Sequence, residues 1–190
     1  MRTDTEFFDQ VMNAIKPYRG KGRSANREKG LVTTEVLRAF LLENGLNVSP
    51  PQVHISGLKH ESKRLIAFDL LILKPNINAF ECKLFSPKEI KVVLEIKLAG
   101  SYDRRVPIEL KKRFDAINLI DRRIQCWYLT VGERLGGLGR KPYIYAVKEV
   151  ELGYPVFTLF NFRDNIYEEP PPRSTGEWQR FVAAVEGVVR

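Results

Sequence analysis

Three charged side chains stand where charge is costly. Asp69 lies inside LIAFDLLIL, one carboxylate among apolar residues. Glu95 lies inside VVLEIKL, and Lys97 follows two residues later. In an extended strand, that spacing projects Glu95 and Lys97 from the same face. A carboxylate in a buried strand is expensive unless it is paired or holds a metal. An Asp on one strand beside a Glu and a Lys on the next supplies two hard oxygen ligands suited to Mg²⁺. The lysine can then hold or deprotonate a water for attack on a phosphate. The competing account is a buried ion pair that only fixes strand register. Such pairs stabilise weakly, so that account leaves two costly charges unexplained.

The same acid-x-Lys spacing occurs at Glu81 and Lys83, within NAFECKLFSP. That segment is shorter, has an aromatic on each side and is closed by Pro87, so Glu95 and Lys97 are the favoured pair. Glu35 is a third candidate acid. Read as lying in the first turn of a helix, it has two roles open to it. It can complement the macrodipole, or it can face the cluster and there bind a second cation or orient Lys97. The second role rests on its helical neighbours Ala39 and Leu42, which are apolar; Glu28 is the alternative residue for it.

The elements that must position these residues follow from periodicity. Residues 5–16 predict a short helix with Phe8, Val11, Met12 and Ile15 on one face and Pro17 as its stop. The basic, glycine-rich stretch YRGKGRSANREKG predicts a loop. A second helix is expected over about 33–44, with Thr33 as N-cap and Gly45 as terminator. Residues 53–58 and 64–73 read as a hairpin. Residues 91–98 read as a central strand covered on both faces. Pro107 opens a helix to about 121, with Leu110, Phe114 and Ile117 inward. QCWYLTV, YIYAV and VFTLFNF are further strands, and GERLGGLGRKP is a hairpin loop. The aromatics Trp127, Tyr128, Tyr143, Tyr145, Phe157, Phe160 and Phe162 are expected in the core or at a dimer surface. Pro170, Pro171 and Pro172 form a stiff joint. Ser174 and Glu177 form a capping box for a last helix carrying Trp178, Phe181, Val182 and Val185. This order predicts an α/β chain with one central mixed β-sheet flanked by helices.

Composition sets the bounds. The chain has 190 residues, 44% hydrophobic and 28% charged, an ordinary globular balance. That length is about one domain's worth, and one domain over 1–190 is expected. No apolar run reaches the length of a membrane helix. The N-terminus MRTDTEFFDQ has acids where a signal peptide is apolar, so a cytoplasmic, intracellular protein with no membrane partner is expected. Cys82 and Cys126 are expected to be free and buried. With only two histidines there are too few ligands for a zinc finger. The net charge is +8, and two short segments carry the excess. One spans 16–29 and includes Lys21, Arg23 and Arg27. The other spans 104–113 and includes Arg104, Arg105, Lys111 and Lys112. Two basic patches suit a polyanion that touches the surface in two places. No Ser/His/Asp or Cys/His arrangement and no dinucleotide fingerprint is evident.

From about Thr34 to Val131 the chain resembles the PD-(D/E)XK nuclease superfamily. The residues that carry the resemblance are TEVLRAFL, LIAFDLLIL, VVLEIKL, the helix through IELKKRFDAI and the strand QCWYLTV. Their order matches the family core of helix, three strands, helix and strand. The resemblance makes Asp69 the motif aspartate, Glu95 the motif acid, Lys97 the motif lysine and Glu35 the upstream helix glutamate. Phe68 stands where the motif has proline, and residues 75–90 must form an insertion.

The resemblance implies a restriction-endonuclease-like core over about 33–131, with residues 132–190 adding strands and a C-terminal helix. It implies metal-dependent hydrolysis of DNA phosphodiesters. Asp69, Glu95 and the Ile96 carbonyl would hold one Mg²⁺ or Mn²⁺, while Lys97 positions the attacking water and stabilises the oxyanion. The basic residues would grip the DNA backbone, and the double-strand cleavage common to such folds implies a homodimer. The alternative is a nucleic-acid-binding module on the same fold without turnover.

Overall fold

The computed structural model describes residues 3–18, 23–59, 65–79, 82–99, 105–134, 147–162 and 173–189. The first helix, α1 (Asp4–Ile15), is closed by a Thr3/Glu6 capping box. After a 3-10 turn at Lys16–Tyr18 comes α2 (Arg23–Glu43), which is ten residues longer at its start than the 33–44 expectation. The segment from Arg23 to Gly30 is therefore helix, not loop. Arg, Ala, Glu and Lys are good helix formers, and they carry the helix past its one glycine there, Gly30. Thr33 accordingly does not cap. It sits mid-helix, buried, and donates to the Lys29 carbonyl at 2.7 Å. Gly45, at φ +79°, reverses the chain after α2.

The strands in chain order are β1 (Asn47–Val48), β2 (Val53–Lys59), β3 (Leu65–Phe68), β4 (Leu70–Leu73), β5 (Leu84–Phe85) and β6 (Ile90–Ala99). Then follow α3 (Arg105–Ile120), β7 (Gln125–Arg134), α4 (Glu149–Leu152), β8 (Val156–Phe162), β9 (Arg173–Ser174) and α5 (Glu177–Val189). Six strands form one mixed sheet in the order β1-β4-β6-β7-β8-β9. The β4–β6 pair is antiparallel, and β6–β7 and β7–β8 are parallel. Parallel neighbours require crossovers, supplied here by α3 and by the segment holding α4. A second sheet of three strands has the order β3-β2-β5.

β6 is covered on both faces, as its apolar run predicts. Val92, Leu94 and Ile96 pack with Leu37, Phe40 and Leu41 of α2 and with Trp178 and Phe181 of α5. Phe7 of α1 stacks on Trp178 at 4.8 Å and meets Phe40 edge-on, so the first and last helices share one core. Val93 faces the other way, with Leu110, Phe114 and Ile117 of α3 and Phe68 and Phe85 of the small sheet. Trp127, Tyr128, Phe157 and Phe160 are all buried.

Three local expectations change. The α5 start is capped by Thr175, whose hydroxyl accepts from the Glu177 N–H at 3.2 Å, while the Ser174 hydroxyl reaches Asp4. Cys126 is buried, but Cys82 is exposed. It precedes a two-residue edge strand too short to cover it. The hairpin read over 53–73 is half correct: β2 pairs with β3, whereas β4 leaves for the large sheet. The strand expected at 143–146, most of the glycine-rich loop before it and the three prolines lie outside the described residues. Among the described residues no helix is long and apolar enough to cross a membrane.

Candidate active site

Asp69 sits at a joint. Phe68 ends β3 opposite Val53 in the small sheet, and Leu70 begins β4 opposite Leu94 in the large one. The chain therefore changes sheets at Asp69, and the apolar residues on either side anchor it. Gln52 helps hold the joint. Its backbone is left-handed, at φ +58°, and its N–H donates to the Asp69 carbonyl at 3.2 Å. A left-handed non-glycine residue is uncommon, and here the bond it makes accounts for it.

The Asp69 carboxylate reaches across to β6. Oδ2 accepts from the Ile96 backbone N–H at 2.7 Å and lies 3.7 Å from Lys97 Nζ. Lys97 Nζ donates to Glu95 Oε1 at 2.8 Å. The residues read as a cluster from sequence are thus joined directly. Glu95 is nearly enclosed, with 10% of its side chain exposed, against 28% for Asp69 and 38% for Lys97. The joint opens to solvent on the Asp69 and Lys97 side.

The charges perturb one another. Burial, and then the neighbouring Glu95 charge, push the Asp69 pKa above its ordinary value, outweighing Lys97, the Ile96 N–H and Arg113. Burial works to lower the Lys97 pKa, but Glu95 and Asp69 more than offset it, so the ammonium is held charged. The two carboxylates thus share one partly exposed place, and the Lys97 ammonium reaches both of them.

Arg113 was counted in the sequence only as part of a basic segment. The structure turns it inward from α3. Its Nη1 and Nη2 lie 3.3 and 3.2 Å from the two Glu95 oxygens. Nη2 also donates to the Ala67 carbonyl, and the guanidinium lies over the Phe68 ring at 4.8 Å. A signal existed, since Arg113 falls between Leu110 and Ile117 on the inward stripe of the helix. Beside the cluster is a cavity of about 430 Å³ bordered by Glu95, Lys97, Glu109, Arg113 and Tyr128.

Glu35 is not brought into this group. Because α2 begins at Arg23, Glu35 is mid-helix, and the first-turn reading does not hold. Its carboxylate is 50% exposed and pairs with Arg38 at 3.9 Å; no hydrogen bond or ion pair joins it to Asp69, Glu95 or Lys97. The packing of α2 on the sheet face opposite the Glu95 side chain explains this. Of the alternative motif, Glu81 lies outside the described residues. Lys83 is exposed beside the small sheet, where its carbonyl accepts from the His54 N–H at 2.7 Å.

The basic residues fall into three groups. Lys21 and Arg104 lie outside the described residues. Arg23 and Arg105 start their helices, with side chains that are not described. Arg27, Lys111 and Lys112 are exposed. Lys111 pairs with Asp115 at 2.7 Å and Lys112 with Glu109 at 3.6 Å, so part of the α3 charge is met within the helix.

No family model and no curated protein matches the sequence. Solved structures do match. The cAAA-bound form of NucC from P. aeruginosa ATCC27853 aligns with a TM-score of 0.55 at 8% identity, over 97% of this chain and 90% of that one. The cAAA-bound form of NucC from E. coli MS115-1 gives 0.55 at 11% identity, over 97% and 89%. The fold is restriction-endonuclease-like. At these identities the likeness speaks for the path of the chain, not for its chemistry. It spans nearly the whole chain, including the segments after Val131 that sequence reading placed outside the core.

Proposed function

We propose that this protein belongs to the PD-(D/E)XK nucleases and hydrolyses DNA phosphodiesters as a metal-dependent endonuclease. The observation that carries the reading is the convergence of Asp69, Glu95 and Lys97 at the joint between two sheets, on the fold of a nuclease.

The donor set fits Mg²⁺ or Mn²⁺. Among the described residues there is no cluster of three or more His, Cys, Asp and Glu. That suits Mg²⁺, which takes one or two carboxylates and completes its shell with waters and substrate phosphate oxygens. Asp69 spends Oδ2 on Ile96, and its Oδ1 accepts no hydrogen bond among the described residues. The Ile96 carbonyl leaves β6 on the same edge as its N–H, toward Asp69. Asp69, Glu95 and that carbonyl would hold the ion. Bound there, it supplies charge stabilisation at the phosphate and an acidified water.

The protein's own groups do the rest. Lys97 places a fixed positive charge where negative charge develops on the phosphate and orients the attacking water. Arg27, Lys111 and Lys112 offer backbone contacts that carry affinity without sequence information. A homodimer would present a second cluster to the opposite strand.

The test is cleavage of plasmid DNA and of a four-way junction with Mg²⁺ or Mn²⁺, comparing wild type with Lys97→Ala. Wild type should cut, EDTA should stop it, and Lys97→Ala should bind DNA without cutting. If wild type cuts neither substrate and binds DNA in a salt-sensitive, EDTA-insensitive way, the protein is a binding module on this fold.

A further inference from the structure

Arg113 is the best-anchored charge in the site, and the reading above gives it no role. Its fork meets both Glu95 oxygens, and Ala67 and Phe68 hold the guanidinium from behind. Lys97 makes a further approach to Glu95 Oε1 at 2.8 Å. The carboxylate that would hold a cation is therefore engaged on both oxygens. The two carboxylates of the cluster are also balanced by two fixed cations.

An incoming divalent ion meets a neutral cluster, so it loses most of the Coulomb attraction that a pair of bare carboxylates would give. It must also share Glu95 with a planar fork matched to carboxylate geometry. A phosphodiester changes this balance. It brings a negative charge to the same place, and phosphate matches a guanidinium as well as carboxylate does. Arg113 borders the cavity beside Glu95 and Lys97, so a phosphate there meets it directly. Its Nε–H is buried and makes no hydrogen bond among the described residues, so a shift that gives Nε an acceptor regains one bond as another is released.

We infer that Arg113 couples cation binding to substrate binding. It holds Glu95 away from a divalent ion in the free protein and yields a Glu95 oxygen when a nucleic-acid phosphate reaches the cluster. The inference rests on the nuclease reading. Arg113 is a positioning residue that acts through Glu95.

The experiment is calorimetric titration of the full chain with Mn²⁺, alone and with a cleavage-resistant phosphorothioate duplex. Wild type should bind Mn²⁺ more tightly with the duplex, by about 5-fold to about 150-fold, the usual range for two coupled sites. Arg113→Met should bind Mn²⁺ more tightly than wild type without DNA and lose most of the gain on adding duplex. Arg113→Lys keeps the charge but not the fork; it should bind Mn²⁺ weakly alone and show a reduced gain. Arg113→Met with unchanged or weaker Mn²⁺ affinity would overturn the inference. If thermal melts show that this variant does not fold, a full duplex-dependent gain in Arg113→Lys overturns it instead. The nuclease reading survives either result if wild type still cleaves. Wild type that binds no Mn²⁺ with or without duplex, and cleaves nothing, overturns both.

Discussion

The Ile96 backbone N–H donates to Asp69 Oδ2 across 2.7 Å, beyond the last paired residues of β4 and β6, Leu70 and Leu94. A side chain continues the hydrogen bonding where the backbone ladder stops. This bond fixes the carboxylate against β6 through one oxygen and keeps the other for a ligand. It also holds Asp69 near Glu95, and two carboxylates kept that close repel.

Burial, with that repulsion added to it, sets a pH dependence. The Asp69 pKa is raised in the folded protein by burial and by Glu95. Folding therefore favours the protonated form. The stability Asp69 contributes is fully present below the ordinary carboxylate pKa and is lost as pH rises through its raised folded value. Asp69→Asn should match wild type at acid pH and exceed it at neutral pH in metal-free buffer. Its amide oxygen can still accept from Ile96. Thermal melts of both proteins between pH 4 and pH 8, in steps of about one unit, check this; a variant less stable at neutral pH contradicts it. Adding Mg²⁺ in the presence of a cleavage-resistant duplex should raise the melting temperature of wild type above that with duplex alone, and not that of Asp69→Asn, because only a site that binds the ion gains by mass action.

Lys97 behaves oppositely. Its ammonium bridges Glu95 and Asp69, and both hold it charged. A view in which active-site charges merely strain one another predicts that Lys97→Ala leaves stability intact. The geometry predicts a loss instead, on the order of 1 kcal/mol, kept small because a partly exposed pair is screened by solvent. Glu95 remains paired with Arg113, which limits the damage. Cleavage should fall by about 100-fold or more, while DNA affinity stays within about threefold if, as proposed, most of the backbone contacts are made by Arg27, Lys111 and Lys112. Denaturant titration, single-turnover cleavage and anisotropy separate the three effects.

Asp69, Glu95 and Lys97 were legible because each is a charge in an apolar run, a pattern that burial makes costly in any strand. The division of LIAFDLLIL between two sheets was not legible. Periodicity reports which face a residue takes, and every residue near this joint is apolar on both sides. Arg113 was masked by its neighbours: Lys111, Lys112 and Arg113 read alike as one basic run, and only the helical period that puts Arg113 between Leu110 and Ile117 separates the inward one. The early start of α2 was hidden by Gly20 and Gly22, which made the whole basic stretch read as loop although the Arg, Ala, Glu and Lys that follow them favour helix. That missed start also misplaced Glu35, whose assumed role depended on the helix beginning two residues before it.

The two cysteines should differ sharply toward a thiol reagent. Cys126 lies in β7 beneath α3, and burial pushes its thiol up to about 12. Cys82 is exposed, its thiol donating to the Leu84 carbonyl at 2.8 Å. Native protein at neutral pH should react at one thiol per chain and unfolded protein at two. Peptide mapping should place the first label on Cys82. Fast labelling of Cys126 in the native state would contradict the packing of β7 described here.

DNA binding should depend unequally on the exposed basic residues. Lys111 lies 2.7 Å from Asp115, which also accepts from the Tyr154 hydroxyl, and Lys112 lies 3.6 Å from Glu109. Each must share its charge before it meets a phosphate. Arg27 is exposed and makes no ion pair among the described residues. A residue that neutralises one phosphate contributes about one unit to the slope of log affinity against log salt. Arg27→Ala should remove nearly that full unit, and Lys111→Ala clearly less. Glu109→Gln should act in the other direction. It frees Lys112 and removes a negative charge from the edge of the cavity, so duplex binding at low salt should tighten a few-fold, as expected for an exposed pair. Anisotropy titrations across salt concentrations distinguish these outcomes. Equal losses at Arg27 and Lys111, with no gain from Glu109→Gln, would mean that the ion pairs along α3 do not compete with phosphate for these lysines.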